Sequence, residues 1–465
     1  MKKHTPFPAP ATTDSAPLIN QLVQFFEELL QQAADESDVP TGPGRRATLL
    51  IPHLLLACVL QMIRKNFSPA QVGRTLLLQR IGSFAPLLTV SRQAVRQRLL
   101  AIGLAPFTQL LQQVQVALSR QSPQPSACTL APFASTVVAV DQSDLSAVAR
   151  LCEETKALPN KSERLLVGKL SAVFDVCRQQ WRHVQLLSDP SGDGTLNALL
   201  LLEDLPKASL ILADLGYFGF TWLQYLSDQG HFWLSRLKSK SSYRLQHIFY
   251  QHEDTLDALI WLGVYRSNQY PYLVRLVQYR HGETLYRYVT NVLDPALLPV
   301  PNVVRLYARR WEIEMAFKLL KRTLGVHLWW ACSRVLVVQQ LLLALTLAQV
   351  LHFLQADIAA QAGVEPVEVS LDILMKVLPQ ASWPCPFGLV QSLISHARSI
   401  GLIRPSRYLA LELPTIPQEA VLPPPPAYTG RFFGRRGNGG KRGKEKQDMV
   451  CSKIPRSKKG IGGIS

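Results

Sequence analysis

Hydrophobic positions along the chain change period several times, and each change predicts a different kind of element. Over residues 47–119 apolar residues recur at helical spacing throughout. Past residue 130 short β-rich runs take over: 135–141 reads as a strand ending in Asp141, and 208–214 as a strand ending in Asp214. Between them, 167–176 and 181–187 read as an antiparallel hairpin about a polar Arg-Gln-Gln turn, followed by a turn at 189–195 and a helical run at 196–202. Gly216 permits a tight strand-to-helix turn just past Asp214. The following stretch is too long for a simple crossover and is rich in β-formers at 232–234, 272–279 and 285–289, which predicts a β-rich insertion.

Helical spacing returns at 307–321. Leu306, Ile313, Ala316, Phe317, Leu320 and Leu324 fall on one arc, while Tyr307, Arg310, Glu314 and Lys321 fall within about 60° of one another on the next. Residues 335–354 are strongly apolar but interrupted by Gln339, Gln340, Thr346, Gln349 and His352, so they read as a buried helix rather than a membrane span. Strands followed by strand–helix alternation give an α/β fold, a mixed sheet with helices on its faces.

Charge adds a partner. The 465-residue chain carries a formal net charge of +17 and a pI near 9.7, which favours a polyanion through counterion release. Beyond Pro423-Pro-Pro-Pro426 there are 11 Lys or Arg against 2 acids in a Gly-rich, apolar-poor tail, expected to be disordered behind a stiff linker. The seven cysteines are scattered, odd in number and without a C-x-x-C pair, which predicts reduced thiols in a cytoplasmic protein and no zinc site. The opening Met-Lys-Lys-His-Thr-Pro-Phe-Pro lacks the apolar stretch of a secretory signal.

The candidate chemistry lies in three acids. A carboxylate flanked by two cations and a phenol on one helix ridge suits metal-assisted phosphoryl transfer on a nucleic acid. Taken alone, the ridge also reads as a solvated face with intrahelical ion pairs, and an Asp closing a strand as a turn residue. The order Asp141, Asp214, Glu314 on strand, strand and helix is more specific. Asp144 competes for the first position, but on a continuing strand it points to the opposite face.

Asp141-Gln-Ser143, Asp214-Leu-Gly-Tyr-Phe218 and the spaced Tyr307, Arg310, Glu314 and Lys321 resemble the three catalytic blocks of DDE-type insertion-sequence transposases, in particular the insertion-sequence-four family with its Y-R-E-K pattern, over roughly residues 85–350. The resemblance implies an RNase H-like sheet interrupted by a β-rich insertion, with a helical amino-terminal DNA-binding region. It implies cut-and-paste transposition with two Mg²⁺ ions, Mn²⁺ being a substitute, and a homodimer on double-stranded DNA comprising transposon ends and target. The expected site has Asp141 bridging both ions and Asp214 and Glu314 each completing one. Tyr286 matches the position where family members stack an aromatic side chain on a flipped base, although many carry Trp there.

The remaining DNA-binding candidates follow from pattern. Arg236, Lys238 and Lys240 alternate along a strand end and would share a face. Ser91 reads as the N-cap of a helix carrying Arg92, Gln93 and Arg96 outward and Ala94, Val95 and Leu99 inward, like the second helix of a helix-turn-helix. The Trp329-Trp330 pair reads as core packing, with DNA contact as the alternative. The expected organisation is a helical amino terminus (1–44, with an acidic helix near 18–34 and a break at 40–44), a helical DNA-binding region (45–130), a catalytic domain in two parts (131–236 and 301–405) around the insertion (237–300), and the basic tail (406–465). The expected location is the bacterial cytoplasm, with the nucleoid, and no membrane. Two alternatives stay open: a decayed transposase that binds DNA without cutting, and an RNase H-like nuclease without strand transfer.

Overall fold

The computed structural model describes residues 27–28, 49–64, 68–78, 88–121, 127–144, 169–187, 202–264, 269–326, 333–377, 393–406, 413, 416–417 and 421–422. Most of the expected helix at 18–34, the break at 40–44, the turn at 189–195, all but the last residue of the run at 196–202, Trp329-Trp330 and the tail beyond residue 422 lie outside the described residues.

One sheet of nine strands organises the protein, in the order β3-β2-β1-β4-β5-β9-β8-β7-β6. Its first half uses β1 (Val137–Asp144), β2 (Lys169–Asp175), β3 (Gln180–Leu187), β4 (Leu210–Ala213) and β5 (Phe232–Arg236). The hairpin expected about residue 179 is present: β2 pairs antiparallel with β1 and β3. Gln179 turns it with a φ of 53°. β1, β4 and β5 run parallel. The β-rich stretch does not form a separate sheet. Its strands β6 (Tyr243–His252), β7 (Thr255–Leu262), β8 (Leu273–His281) and β9 (Thr284–Thr290) are antiparallel neighbours, and β9 hydrogen-bonds β5 and so extends the same sheet.

Period-2 alternation divides the strand residues between two cores. Val137 and Ala139 of β1, and Leu210 and Leu212 of β4, enter a large core on one face. The large core is shared with the helices on its face. These include α1 (Ile51–Ile63), α2 (Pro69–Leu78), α3 (Arg92–Ile102), α4 (Ala105–Gln121) and the short α5 (Ala127–Leu130). Val138, Val140, Ile211 and Ala213 enter a smaller core on the other face, closed by Phe220, Leu223 and Leu226 of α6 (Phe220–Asp228). Later in the chain α7 (Val300–Arg309), α8 (Trp311–Lys318) and α9 (Arg334–Ala362) return to the large core.

The last of these, 29 residues long, is apolar enough by length and composition to cross a membrane, but 83% of its most apolar window is buried within the protein. Its polar interruptions serve neighbouring backbone. Gln339 Nε2 donates to the carbonyls of Leu99 and Gly103 at the end of α3, Gln349 Oε1 accepts from the Trp181 amide, and Gln355 Nε2 donates to Val369 O. Each supplies a partner that a buried carbonyl or amide would otherwise lack.

Two further features differ from expectation. Cys177, just past β2, is disulfide-bonded, whereas Cys58 is free and buried as expected. The segment beyond residue 406 is tied to the body at several points: Leu413 and Ile416 pack on the large core, and Leu422 N–H donates to Phe249 O on edge strand β6.

Candidate active site

The sheet register brings the first two acids together. Val140 lies opposite Ala213 in the parallel β1–β4 pair, so Asp141 and Asp214 are the next residues of adjacent strands. Alternation from Ala139 and Leu212 puts both on the large-core face. β1 does not end at Asp141, because β2 continues to pair with it as far as Asp144. It is the parallel partner that ends, leaving Asp214 as the residue before a short 3₁₀ turn, Leu215–Tyr217. Asp141 is therefore mid-strand beside an open strand end.

Glu314 reaches this point from the later helices of the large-core face. The expected single helix is two, α7 and α8, joined at Arg310 in the helical region (φ −51°, ψ −32°), and α8 runs into one π turn at Leu319–Thr323. The apolar arc is buried as expected: Leu306, Ile313, Ala316, Phe317, Leu320 and Leu324 are each under 5% exposed. The π turn adds a local irregularity to the 3.6-residue period just where Lys321 stands. Tyr307, Arg310 and Glu314 stay together, while Lys321 Nζ donates to Asp144 O at the end of β1.

Arg310 links the acids. Its Nη2 donates to Glu314 Oε1 at 2.6 Å, and its Nη1 lies 3.6 Å from Asp141 Oδ2. Its guanidinium also lies 5.8 Å from the centroid of the Tyr307 ring. Burial raises the Asp141 carboxyl to about 6; the Gln142 amide and Arg310 act against that rise, while Glu314 and Asp214 add to it. The three acids are thus one electrostatic cluster. All potential ligand atoms are carboxylate oxygens, the donor type a hard divalent cation takes. As they stand, no three His, Cys, Asp or Glu side chains among the described residues are grouped closely enough to hold a metal ion, and the positive charge between Asp141 and Glu314 is that of Arg310.

A second Arg–Glu pair on the same helices, formed by residues 309 and 312, is not evident from the sequence pattern. Arg309 Nε donates to Glu312 Oε1 at 2.7 Å and Nη2 to Glu365 Oε2 at 3.0 Å, and Gln179 of the hairpin turn donates to the other Glu312 oxygen. Glu312 lies about 200° around α8 from Glu314, so its pair is buried and holds the helix to the hairpin. A cavity of about 680 Å³ adjoins that side, lined by Trp311, Glu312, Met315 and His352 and by neither Arg310 nor Glu314.

The other candidates separate. Tyr286 on β9 stacks on Tyr279 (5.4 Å, 18°), and Tyr288 contacts Tyr307 at 4.7 Å, making a row of rings that reaches the acid site. Arg236 lies 5.7 Å from the centroid of Tyr286. Lys238 does not share its face, because β5 stops at Arg236; its ammonium donates to Phe218 O and sits by the Phe218 ring. Lys240 is exposed. Ser91 caps α3 as expected, accepting from the Ala94 amide at 3.1 Å, with Arg92, Gln93 and Arg96 exposed and Val95 and Leu99 buried. Ala94, expected inward, is exposed.

This is the region that sequence comparison singles out. Residues 133–351 match the model of the transposase DDE domain. The match spans all three acids and supports a DDE transposase. No curated protein matches the chain. Among solved structures, a piggyBac transposase synaptic complex with hairpin DNA aligns over 87% of this chain and 85% of its own, at 9% identity and a TM-score of 0.38. The DDE-domain match begins just before β1 and ends within α9, so it takes in the whole sheet and leaves the amino-terminal helices outside.

Proposed function

We propose that this protein is a cut-and-paste DNA transposase of the insertion-sequence-four type, cleaving phosphodiesters at element ends and joining the freed 3′-hydroxyl to target DNA at Asp141, Asp214 and Glu314. The observation that carries this reading is that the strand register and α8 gather these three acids into one coupled cluster inside the region matching a transposase DDE domain. The strand order 3-2-1-4-5 with β2 antiparallel supports an RNase H-like core, with β6 to β9 as its insertion.

On this reading the acids hold divalent cations, Mg²⁺ in the cell, which supply an activated nucleophile and stabilise the leaving oxygen. The chain's own groups hold the substrate. Arg310 and Tyr307 lie beside the acids and orient a phosphate for in-line attack, and Arg236, half-buried against Tyr286, receives the next stretch of backbone. Arg92 and Arg96 on the exposed side of α3 contact DNA further out, and two copies hold the two ends.

The test is a cleavage and joining assay on DNA carrying the element's ends, with Mg²⁺ or EDTA, comparing the intact protein with Glu314→Ala. Glu314 is partly exposed, so the variant should fold and bind DNA yet lose nicking by at least about 10³-fold. Nicking that survives in Glu314→Ala refutes the site. Binding without cleavage by either protein favours a decayed transposase, and cleavage without joining a nuclease.

A further inference from the structure

Arg310 occupies the position of a counter-ion. It is 8% exposed, and among the described residues it is the one Lys or Arg that forms an ion pair with Asp141 or Glu314. Its pairing is incomplete: Nε and Nη1 are buried without a hydrogen-bond partner, and the contact of Nη1 with Asp141 is a 3.6 Å ion pair only. A buried guanidinium with two unsatisfied nitrogens is held by charge more than by geometry, and an oxyanion offering bidentate hydrogen bonds satisfies it better. It stands at the junction of α7 and α8, and a long side chain there can change partner while the backbone keeps its helical course.

We infer that Arg310 is an exchangeable counter-charge that neutralises Asp141 and Glu314 in the free protein and is drawn off by a DNA phosphate, opening the acids to divalent metal only when DNA is present. This rests on the proposed reading of the acids as metal ligands. A guanidinium and a divalent cation cannot share the same two carboxylates without strong repulsion, so removing the guanidinium strengthens metal binding. By linkage, metal and DNA then raise each other's affinity by the same factor. A free protein that resists metal does not act as an indiscriminate nuclease.

The experiment follows Mn²⁺ binding to the full chain by the electron paramagnetic resonance signal of the free ion, with and without a short DNA duplex. Wild type should bind Mn²⁺ about tenfold more tightly with duplex than without. Arg310→Gln should bind it about tenfold more tightly than wild type in the absence of DNA, and gain little from duplex. Arg310→Lys, which keeps the charge, should stay near wild type, with thermal melting confirming that each variant is folded. Arg310→Gln binding Mn²⁺ no better than wild type without DNA overturns the counter-charge. Mn²⁺ binding that persists unchanged in Asp141→Asn overturns instead the assignment of the acids, and the inference with it.

Discussion

Asp141 is under opposing demands: the fold buries it beside two other acids, yet the proposed chemistry needs it ionised. Its carboxyl is raised to about 6, by burial first and then by Glu314 and Asp214, against the Gln142 amide and Arg310. An acid whose pKa is higher folded than unfolded contributes stability that is fully present below its unfolded value near 4 and is lost as pH rises through 6. Asp141→Asn removes that loss. In EDTA the variant should melt higher than wild type at pH 7.5, by on the order of 2 kcal/mol, and the difference should vanish near pH 4; equal melting across the range refutes the burial argument. The sequence resolves much of this residue set, because i, i+3 and i+7 spacing separates Glu314 from Glu312 by side of helix. It does not reveal that Arg309 and Glu312 form a buried pair, since the two Arg–Glu pairs look alike until the neighbours of α8 are known. Nor does it reveal the π turn that carries Lys321, because such a turn leaves no mark in an apolar periodicity.

Among elements, the strands were legible and their arrangement only in part. Period-2 runs with β-branched residues located the hairpin and both acid-bearing strands, and parallel register then set Asp141 beside Asp214. What local pattern could not supply was the destination of the later strands: hydrogen bonding between β5 and β9 is a non-local choice, and it makes the extension one sheet with the acid-bearing half. Arg275 on β8 ties this extension to the site. Fully buried, it makes two hydrogen bonds to Asp257 of β7 at 2.6 and 2.7 Å and a third to Leu298 O, just ahead of α7. Arg275→Ala leaves Asp257 as an unpaired buried charge and frees the entry to the helix that carries Tyr307. It should cost about 3–5 kcal/mol, read as a lower denaturant midpoint, whereas Arg280→Ala should change the midpoint little, since the pair of Arg280 with Asp254 is exposed. Equal effects of the two would mean that the Arg275 pair does not anchor the extension.

For the whole molecule, charge and apolarity each admit two interpretations. The apolar helix α9 passes for a membrane span by composition, and only its surroundings make it the core that receives α1, α4 and β3. The net charge is likewise concentrated: from residue 427 on, 11 Lys or Arg face 2 acids, about half of the +17. The body is still basic without the tail, so the two contributions can be separated by truncation after residue 426. If the tail contacts phosphates, its removal weakens binding to a non-specific duplex at low salt and flattens the plot of log affinity against log salt by about 0.9 for each phosphate the tail had neutralised. The truncated protein should keep its metal-dependent nicking per bound complex, because Arg310, Tyr307 and Arg236 lie in the body. Fluorescence anisotropy across a sodium chloride series gives the slope directly. An unchanged slope would make the tail a solvated appendage and place the whole electrostatic footprint on the folded part, where the acid site's cations are the first to examine.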